Sequence, residues 1–231
     1  MLNGKTFLAV VPARGGSKSV PRKNIRELGG KPLLVHTLEQ VAHVPEIDRA
    51  VVSTDDTEIA VVAARAGGEV LRRPTEFATD AAPTEWALLH ALDEFAAKGQ
   101  TFDYVMVLEP TSPFRSPATI MRCMEAMVGA AAPSLMTVVE TRSNIGRLEN
   151  GIFRPLVPGA PRRRQERQPF YVESSTVYIC RTDHLRRAKM LVADDWLAVT
   201  VPDAEAFDIN DELDFAVAEA LCIRSAGASR A

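Results

Sequence analysis

The chain is short of cysteine, with three in 231 residues (Cys123, Cys180 and Cys222). An odd number with no C-x-x-C pair and no metal-like spacing points away from a disulfide framework or a zinc site, and fits a reducing cytoplasm. Aromatics are scarce at 6%, too few for the base-stacking platforms of single-strand nucleic-acid binders. A basic excess is missing as well. Lys and Arg number 27 against 30 Asp and Glu, a formal net charge of −3, where a nucleic-acid-binding domain carries a surplus. The N-terminal apolar run, Phe7 to Val11, stops at Pro12, short of the roughly 7 to 15 residues of a signal-peptide core and the roughly 18 of a membrane span. These absences predict a soluble, cytoplasmic protein with no nucleic-acid or membrane partner.

What is present is the profile of one sizeable globular domain, 46% hydrophobic and 25% charged with 15 Pro and 13 Gly, which excludes disorder, collagen and coiled coil. Positive charge is concentrated in two islands. Residues 1–31 hold Lys5, Arg14, Lys18, Arg22, Lys23, Arg26 and Lys31 against Glu27 alone, and residues 162–167 read Arg-Arg-Arg-Gln-Glu-Arg. Two basic islands in an otherwise acidic chain suit small anions better than a long polyanion.

Short β-branched runs alternate with stretches of helical period, which predicts an α/β fold with a doubly wound, mostly parallel sheet. The strands fall at Phe7–Val11, Ala50–Ser53, Val70–Leu71, Tyr104–Leu108 and Leu135–Val139. Helices are expected at Leu33–Val44 behind Pro32, at Asp56–Ala66 before Gly67-Gly68, at Thr84–Lys98 before Gly99, and from Ser116 or Pro117 to Met127. After residue 140 the pattern changes. Asn150-Gly151 between Leu148 and Ile152 is a hairpin signal, because a type I′ turn needs positive φ at both central residues. Pro158–Pro169 is an Arg-rich arm, Tyr171–Cys180 alternates as a strand, and Asp211–Arg224 closes as an amphipathic helix. Residues 1–231 read as a single domain, with 141–180 as a β-rich insertion.

The chemistry concentrates in residues 13–24, Ala-Arg-Gly-Gly-Ser-Lys-Ser-Val-Pro-Arg-Lys-Asn, directly after the first strand, at the sheet edge where open α/β folds bind ligands. Gly15 and Gly16 let backbone N–H groups approach a phosphate, Ser17 adds a hydroxyl, and Arg14, Lys18 and Lys23 add charge-assisted donors. The segment is neither a G-x-G-x-x-G nor a Walker A loop. Ser17 lies outside any G-x-S-x-G arrangement, so a serine-hydrolase mechanism has no support.

This segment resembles the N-terminal signature of the acylneuraminate cytidylyltransferases in Pro12-Ala13-Arg14-Gly15-Gly16-Ser17-Lys18 and Pro21-Arg22-Lys23-Asn24. Further resemblances follow in the family's order: Val52–Asp56, Leu71–Pro74, Leu108–Pro113 with Arg115, Arg164-Gln165, and Phe207–Asp214. The resemblance implies a Rossmann-like nucleotidyltransferase that moves CMP from CTP to the anomeric hydroxyl of an acidic keto sugar, as a homodimer whose 141–180 insertion reaches the partner's site.

By the same resemblance Arg14, Lys18 and Lys23 are catalytic and face the triphosphate with Gly15, Gly16, Ser17 and Asn24. Arg73 and Thr84 lie near the nucleotide; a helix N-cap is the other reading of Thr84, and both can hold at once. Glu109, Arg164 and Gln165 fall on the acceptor side, where a guanidinium grips a carboxylate through paired donors; a solvated arm is the other reading of Arg164-Gln165. Asp208 and Asn210 occupy the positions of a metal-binding Asp-x-Asp pair for Mg²⁺ or Mn²⁺. Asn210 departs from that pattern, supplying an oxygen without charge, and Asn210 or Asp211 also suits the cap of the last helix. Two further departures are Ser174-Ser175, where many members have Asn-Gly, and Glu109, where the sialic acid enzymes have Gln. Asp55 and Asp56 end a strand and open a helix, so either can cap it. His36, His43, His90 and His184 show no ligand spacing.

Overall fold

The computed structural model describes residues 1–17, 19–130 and 132–228. Its first strand, β1 (Phe7–Pro12), is buried on both faces. Phe7, Ala9 and Val11 enter one apolar cluster while Leu8 and Val10 enter another, as the two-residue period of a strand inside a three-layer sandwich requires.

A small ribbon of β2 (Glu27–Leu28) and β3 (Lys31–Pro32) leads into α1 (Leu33–Ala42). The units β4 (Arg49–Thr54), α2 (Thr57–Arg65) and β5 (Glu69–Arg72) follow. Asp56 caps α2, its Oδ1 accepting the N–H groups of Glu58 and Ile59 at 2.8 and 2.9 Å. The helix stops where Gly67 takes φ +79° and Gly67 and Gly68 donate to Ala64 and Ala63. Next come α3 (Thr84–Ala96), β6 (Tyr104–Val107) and α4 (Pro117–Gly129), the last capped by Ser116. The chain continues through β7 (Ser134–Thr141), β8 (Gly146–Glu149), β9 (Ile152–Pro155), β10 (Phe170–Arg181), α5 (Thr182–Ala188), β11 (Leu197–Thr200) and α6 (Glu212–Ala228).

Seven strands form one sheet in the order β11-β7-β10-β6-β1-β4-β5, with β10 antiparallel to both neighbours and the other pairings parallel. The doubly wound, mostly parallel expectation is thus met. The chain winds outward from β1 to β5 and then returns to place β6 on the other side of β1. The switch point therefore lies at the ends of β1 and β6, where the loops after Pro12 and Val107 face each other.

Asn150 (φ +50°) and Gly151 (φ +78°) make the type I′ turn of the β8–β9 hairpin. Of the 141–180 segment, residues 170–180 belong to β10, inside the main sheet, and 142–169 project as the arm. β10 carries three extra residues against β7 between Ser174 and Tyr178. Thr137 holds this bulge, its hydroxyl donating to the Ser174 carbonyl at 2.8 Å and accepting the Val177 N–H at 3.0 Å. A third apolar cluster, Val20, Leu28, Leu33, Ile209, Phe215 and Ala218, fastens α6 beneath the basic loop, and Arg26 lies over the Phe215 ring at 4.1 Å.

Candidate active site

The loop after β1 needs glycine at position 15, because a Cβ there would come within 2.6 Å of Asp56 Oδ2 and 2.9 Å of its Cβ. The close approach lets the Gly15 N–H reach Asp55 Oδ1 at 3.1 Å. Asn24 Nδ2 donates to the Arg14 carbonyl at 3.1 Å, folding the loop back on itself. Asp55 thus braces this loop while Asp56 is the cap of α2, of the two that sequence allows.

A cavity of about 460 Å³ opens at the switch point, and Arg14, Ser17, Lys23, Asn24, Arg73, Thr84 and Glu109 all line it. Gly15 and Gly16 lie within this loop but do not line the cavity, and Lys18 lies outside the described residues. Sequence reasoning missed Ser19, Phe77, Thr79, Asp80 and Thr111, which line the same space. Asp80 pairs with Arg14, and the only sequence signal for it was its place in the Pro- and Thr-rich turn before α3. Thr84 begins α3, but its predecessor Pro83 is the N-cap and makes no side-chain cap bond. The capping reading of Thr84 is therefore not met.

Arg73 is the electrostatic centre of this cavity. It is 8% exposed, and its Nε and Nη2 have no hydrogen-bond partner. Burial pushes its pKa down and the Arg14 charge adds to this, while Asp55 opposes both. A guanidinium nevertheless stays charged; its unpartnered Nε and Nη2 are themselves buried, while Arg73 as a whole lines the cavity. Lys23 donates to the carbonyls of Ile209 (2.8 Å) and Asn210 (3.2 Å). Burial lowers its pKa against the attraction of Asp208, Asp214 and Glu109.

Asp208 sits beside this lysine with Oδ1 buried and unpartnered, an oxygen suited to a hard cation or a donor from substrate. Asn210 is exposed, and its N–H goes to Asp214 Oδ2 at 2.8 Å. Asp211 caps α6 by accepting the Asp214 N–H at 3.0 Å. Glu109 follows β6, and burial first, then the Asp208 charge, raises its carboxyl pKa.

A second cavity of about 290 Å³ adjoins the first, lined by Thr84, Glu85, Glu109, Glu173, Tyr178, Met190, Leu191 and Val192. Behind Glu109, which lines both, lies Arg115, 2% exposed. Its Nη2 donates to Thr37 Oγ1 and the Glu109 carbonyl, both at 3.1 Å; Nε reaches Gln40 Oε1 at 3.3 Å; and Nη1 bonds the Thr176 carbonyl in the β10 bulge. Ser175 Oγ lies 3.2 Å from Ser112 Oγ. Arg164 and Gln165 border neither cavity. They lie exposed in a short 3-10 turn on the arm, whose shape is held by Arg167 donating to the carbonyls of Pro161, Arg162 and Arg142.

A basic, glycine-bearing loop at the switch point of a doubly wound sheet, with Arg73 buried beside it, suits the phosphates of a nucleotide. More narrowly, the chain belongs to the cytidylyltransferase family, whose profile matches residues 8–199. It is 31% identical over 228 residues to CMP-N,N'-diacetyllegionaminic acid synthase of Legionella pneumophila, covering 93% of this chain and 95% of that one. With the N-acylneuraminate cytidylyltransferase of Escherichia coli it shares 28% identity over 221 residues, 92% of this chain but 51% of the longer relative. Among solved structures, a CMP:2-keto-3-deoxy-manno-octonic acid synthetase in complex with CTP superposes with a TM-score of 0.71 at 17% identity, covering 95% of this chain and 99% of the other. That likeness bears on the fold alone.

Proposed function

We propose that this cytidylyltransferase transfers CMP from CTP to the anomeric hydroxyl of a nonulosonic acid and releases pyrophosphate. The observation that carries the reading is a buried Arg73, with two donor groups left without a protein partner, in the wall of the switch-point cavity. The near full-length relative named as a CMP-diacetyllegionaminic acid synthase supports the acceptor class.

In this reading Arg14, Lys18, Lys23 and Arg73 neutralise the triphosphate, with the backbone of Gly15 and Gly16, the Ser17 hydroxyl and Asn24 holding it in line. Thr84 lies toward the nucleoside. The acceptor enters the adjoining cavity, where Glu109, Tyr178 and the bulge of β10 shape its surroundings. The hydroxyl oxygen then bonds to the α-phosphorus, the bond from that phosphorus to the β-bridging oxygen breaks, pyrophosphate leaves with the electron pair, and the hydroxyl proton passes to water. When bound, Mg²⁺ or Mn²⁺ supplies charge neutralisation on the phosphate oxygens; the buried, unpartnered Asp208 Oδ1 fits such a cation, with Asn210 the neutral second position of the motif.

Arg164 and Gln165 reach an acceptor carboxylate only from an arm that enters another copy's site, so the working unit is a homodimer. Exposed Leu148, Ile152, Phe153 and Leu156 on the arm, with Tyr171 and Val172 at its base, supply an apolar face for that contact. The three unpaired cysteines are in keeping with a reducing, cytoplasmic setting. A pyrophosphate-release screen of four nucleoside triphosphates against nonulosonic acids, an eight-carbon keto acid and a phosphonate tests the proposal. Release with CTP and a nine-carbon acid supports it, and release only with the other acceptors or with none overturns it.

A further inference from the structure

A nucleotide has two unlike ends, and the lining of the switch-point cavity divides in the same way. On one side the loop after β1 and the end of β5 bring Arg14, Lys23 and Arg73, with the hydroxyls of Ser17 and Ser19. On the other, the segment between β5 and α3 brings Phe77, Thr79, Asp80, Ala82 and Thr84, with no cation among them. The Arg14–Asp80 pair joins the two walls. A triphosphate is neutralised at the first wall, which leaves the nucleoside to the wall that carries Phe77.

No other aromatic side chain lines this cavity among the described residues. Phe77 ends a 3-10 turn, Thr75–Phe77, in which its N–H donates to the Pro74 carbonyl at 2.9 Å. The turn starts directly after Arg73 and Pro74, and the Arg73 N–H is itself held by the Thr54 carbonyl at 2.9 Å. The Phe77 side chain is half-buried, yet it belongs to none of the three apolar clusters, so core packing does not account for it. Trp86 and His90, one turn apart on α3, meet its ring steeply, with centroids 5.6 and 6.0 Å away and interplanar angles of 63° and 68°. These two contacts set the plane of the Phe77 ring, and neither partner stacks on it.

We propose, resting on the cytidylyl-transfer reading, that the Phe77 ring is the surface on which the base of the bound nucleotide stacks. A flat ring covers the face of a base as a branched aliphatic side chain does not. Because every base has such a face, Phe77 supplies affinity for the nucleoside rather than a choice among bases.

Calorimetry on the full chain, with Mg²⁺ present and acceptor absent, compares CTP with ribose 5-triphosphate, which lacks the base. Phe77→Ala should weaken CTP about 5- to 150-fold, the range for a base that loses its aromatic partner, and leave ribose 5-triphosphate within about threefold. Phe77→Tyr keeps the flat ring, and Phe77→Leu keeps apolar volume without it. The leucine variant should bind CTP about 2- to 12-fold more weakly than the tyrosine variant, the worth of an aromatic contact beyond its buried area. Thermal melting confirms that each variant folds. Wild-type CTP affinity in Phe77→Ala, equal CTP affinity in the leucine and tyrosine variants, or an equal loss for CTP and ribose 5-triphosphate overturns the inference and leaves cytidylyl transfer standing. Failure of the wild-type protein to bind CTP overturns both.

Discussion

Arg73→Met removes a guanidinium while keeping most of its apolar stem, and its effects on stability and on binding should have opposite signs. Arg73 is 8% exposed with Nε and Nη2 unpartnered, and a buried donor without a partner costs about 1 to 3 kcal/mol, more when charged. The Arg14 charge adds repulsion and Asp55 returns some attraction; Asp55 itself keeps the Gly15 N–H after the substitution. The nucleotide-free variant should therefore be more stable by about 1 to 3 kcal/mol, and a domain of this size gains about 2 to 4 °C in Tm per kcal/mol. For CTP, loss of a buried charge-assisted contact costs about 2 to 5 kcal/mol, or about 30- to 5,000-fold in Kd. Urea unfolding with and without CTP reads both effects. A variant less stable than wild type that still binds CTP normally would refute the assignment of Arg73 as a buried anion receptor held ready at a cost in stability.

Arg115→Met strips donors from the carbonyls of Thr176 and Glu109 and from Thr37 and Gln40, so urea unfolding should show a loss of about 3 to 5 kcal/mol; a loss below about 1 kcal/mol would contradict its role as the hub behind Glu109. Asp56→Ala removes the two cap bonds of α2 and should cost about 1 kcal/mol, again by urea unfolding. Phe153→Glu with Leu148→Glu places charge on the cross-strand pair of the arm; on the proposal that the arm joins two copies, sedimentation should shift from dimer to monomer, and an unchanged profile would contradict that proposal. Asp103 supplies a pH signature away from the site. Burial would raise its carboxyl pKa, but the Thr6 N–H and hydroxyl and the Lys5 ammonium outweigh this and hold it below the ordinary 3.8. Its contribution is present in full well above 3.8 and is lost as pH falls through its folded value, so Asp103→Asn should flatten the acid limb of the stability curve; an unchanged slope would argue against it.

Much of this fold is legible because burial on both faces leaves a strong trace. Phe7–Pro12, Arg49–Thr54 and Tyr104–Val107 are short apolar runs bounded by turn residues, and the helices between them carry caps or glycine stops at Asp56, Ser116, Gly67 and Gly99. What escapes has weak local patterning. The strand Leu197–Thr200 is a four-residue edge strand half buried at alternate positions, and Thr182–Ala188 is a short polar helix that buries Leu185. The site divides along the same line. The basic loop shows itself by composition, and Thr84 and Arg73 by motif. The orphaned donors of Arg73, the Arg115 hub and the position of Glu109 between two cavities arise from residues far apart in sequence, which no local pattern records.

The decisive measurement follows phosphorus directly. Phosphorus-31 NMR of the protein with CTP, Mg²⁺ and N,N'-diacetyllegionaminic, pseudaminic or N-acetylneuraminic acid should show one CMP-sugar phosphodiester and one pyrophosphate formed for each CTP consumed, with at least one of the acids. CTP left intact with every acid, or broken down without a phosphodiester signal, would contradict cytidylyl transfer to a nonulosonic acid.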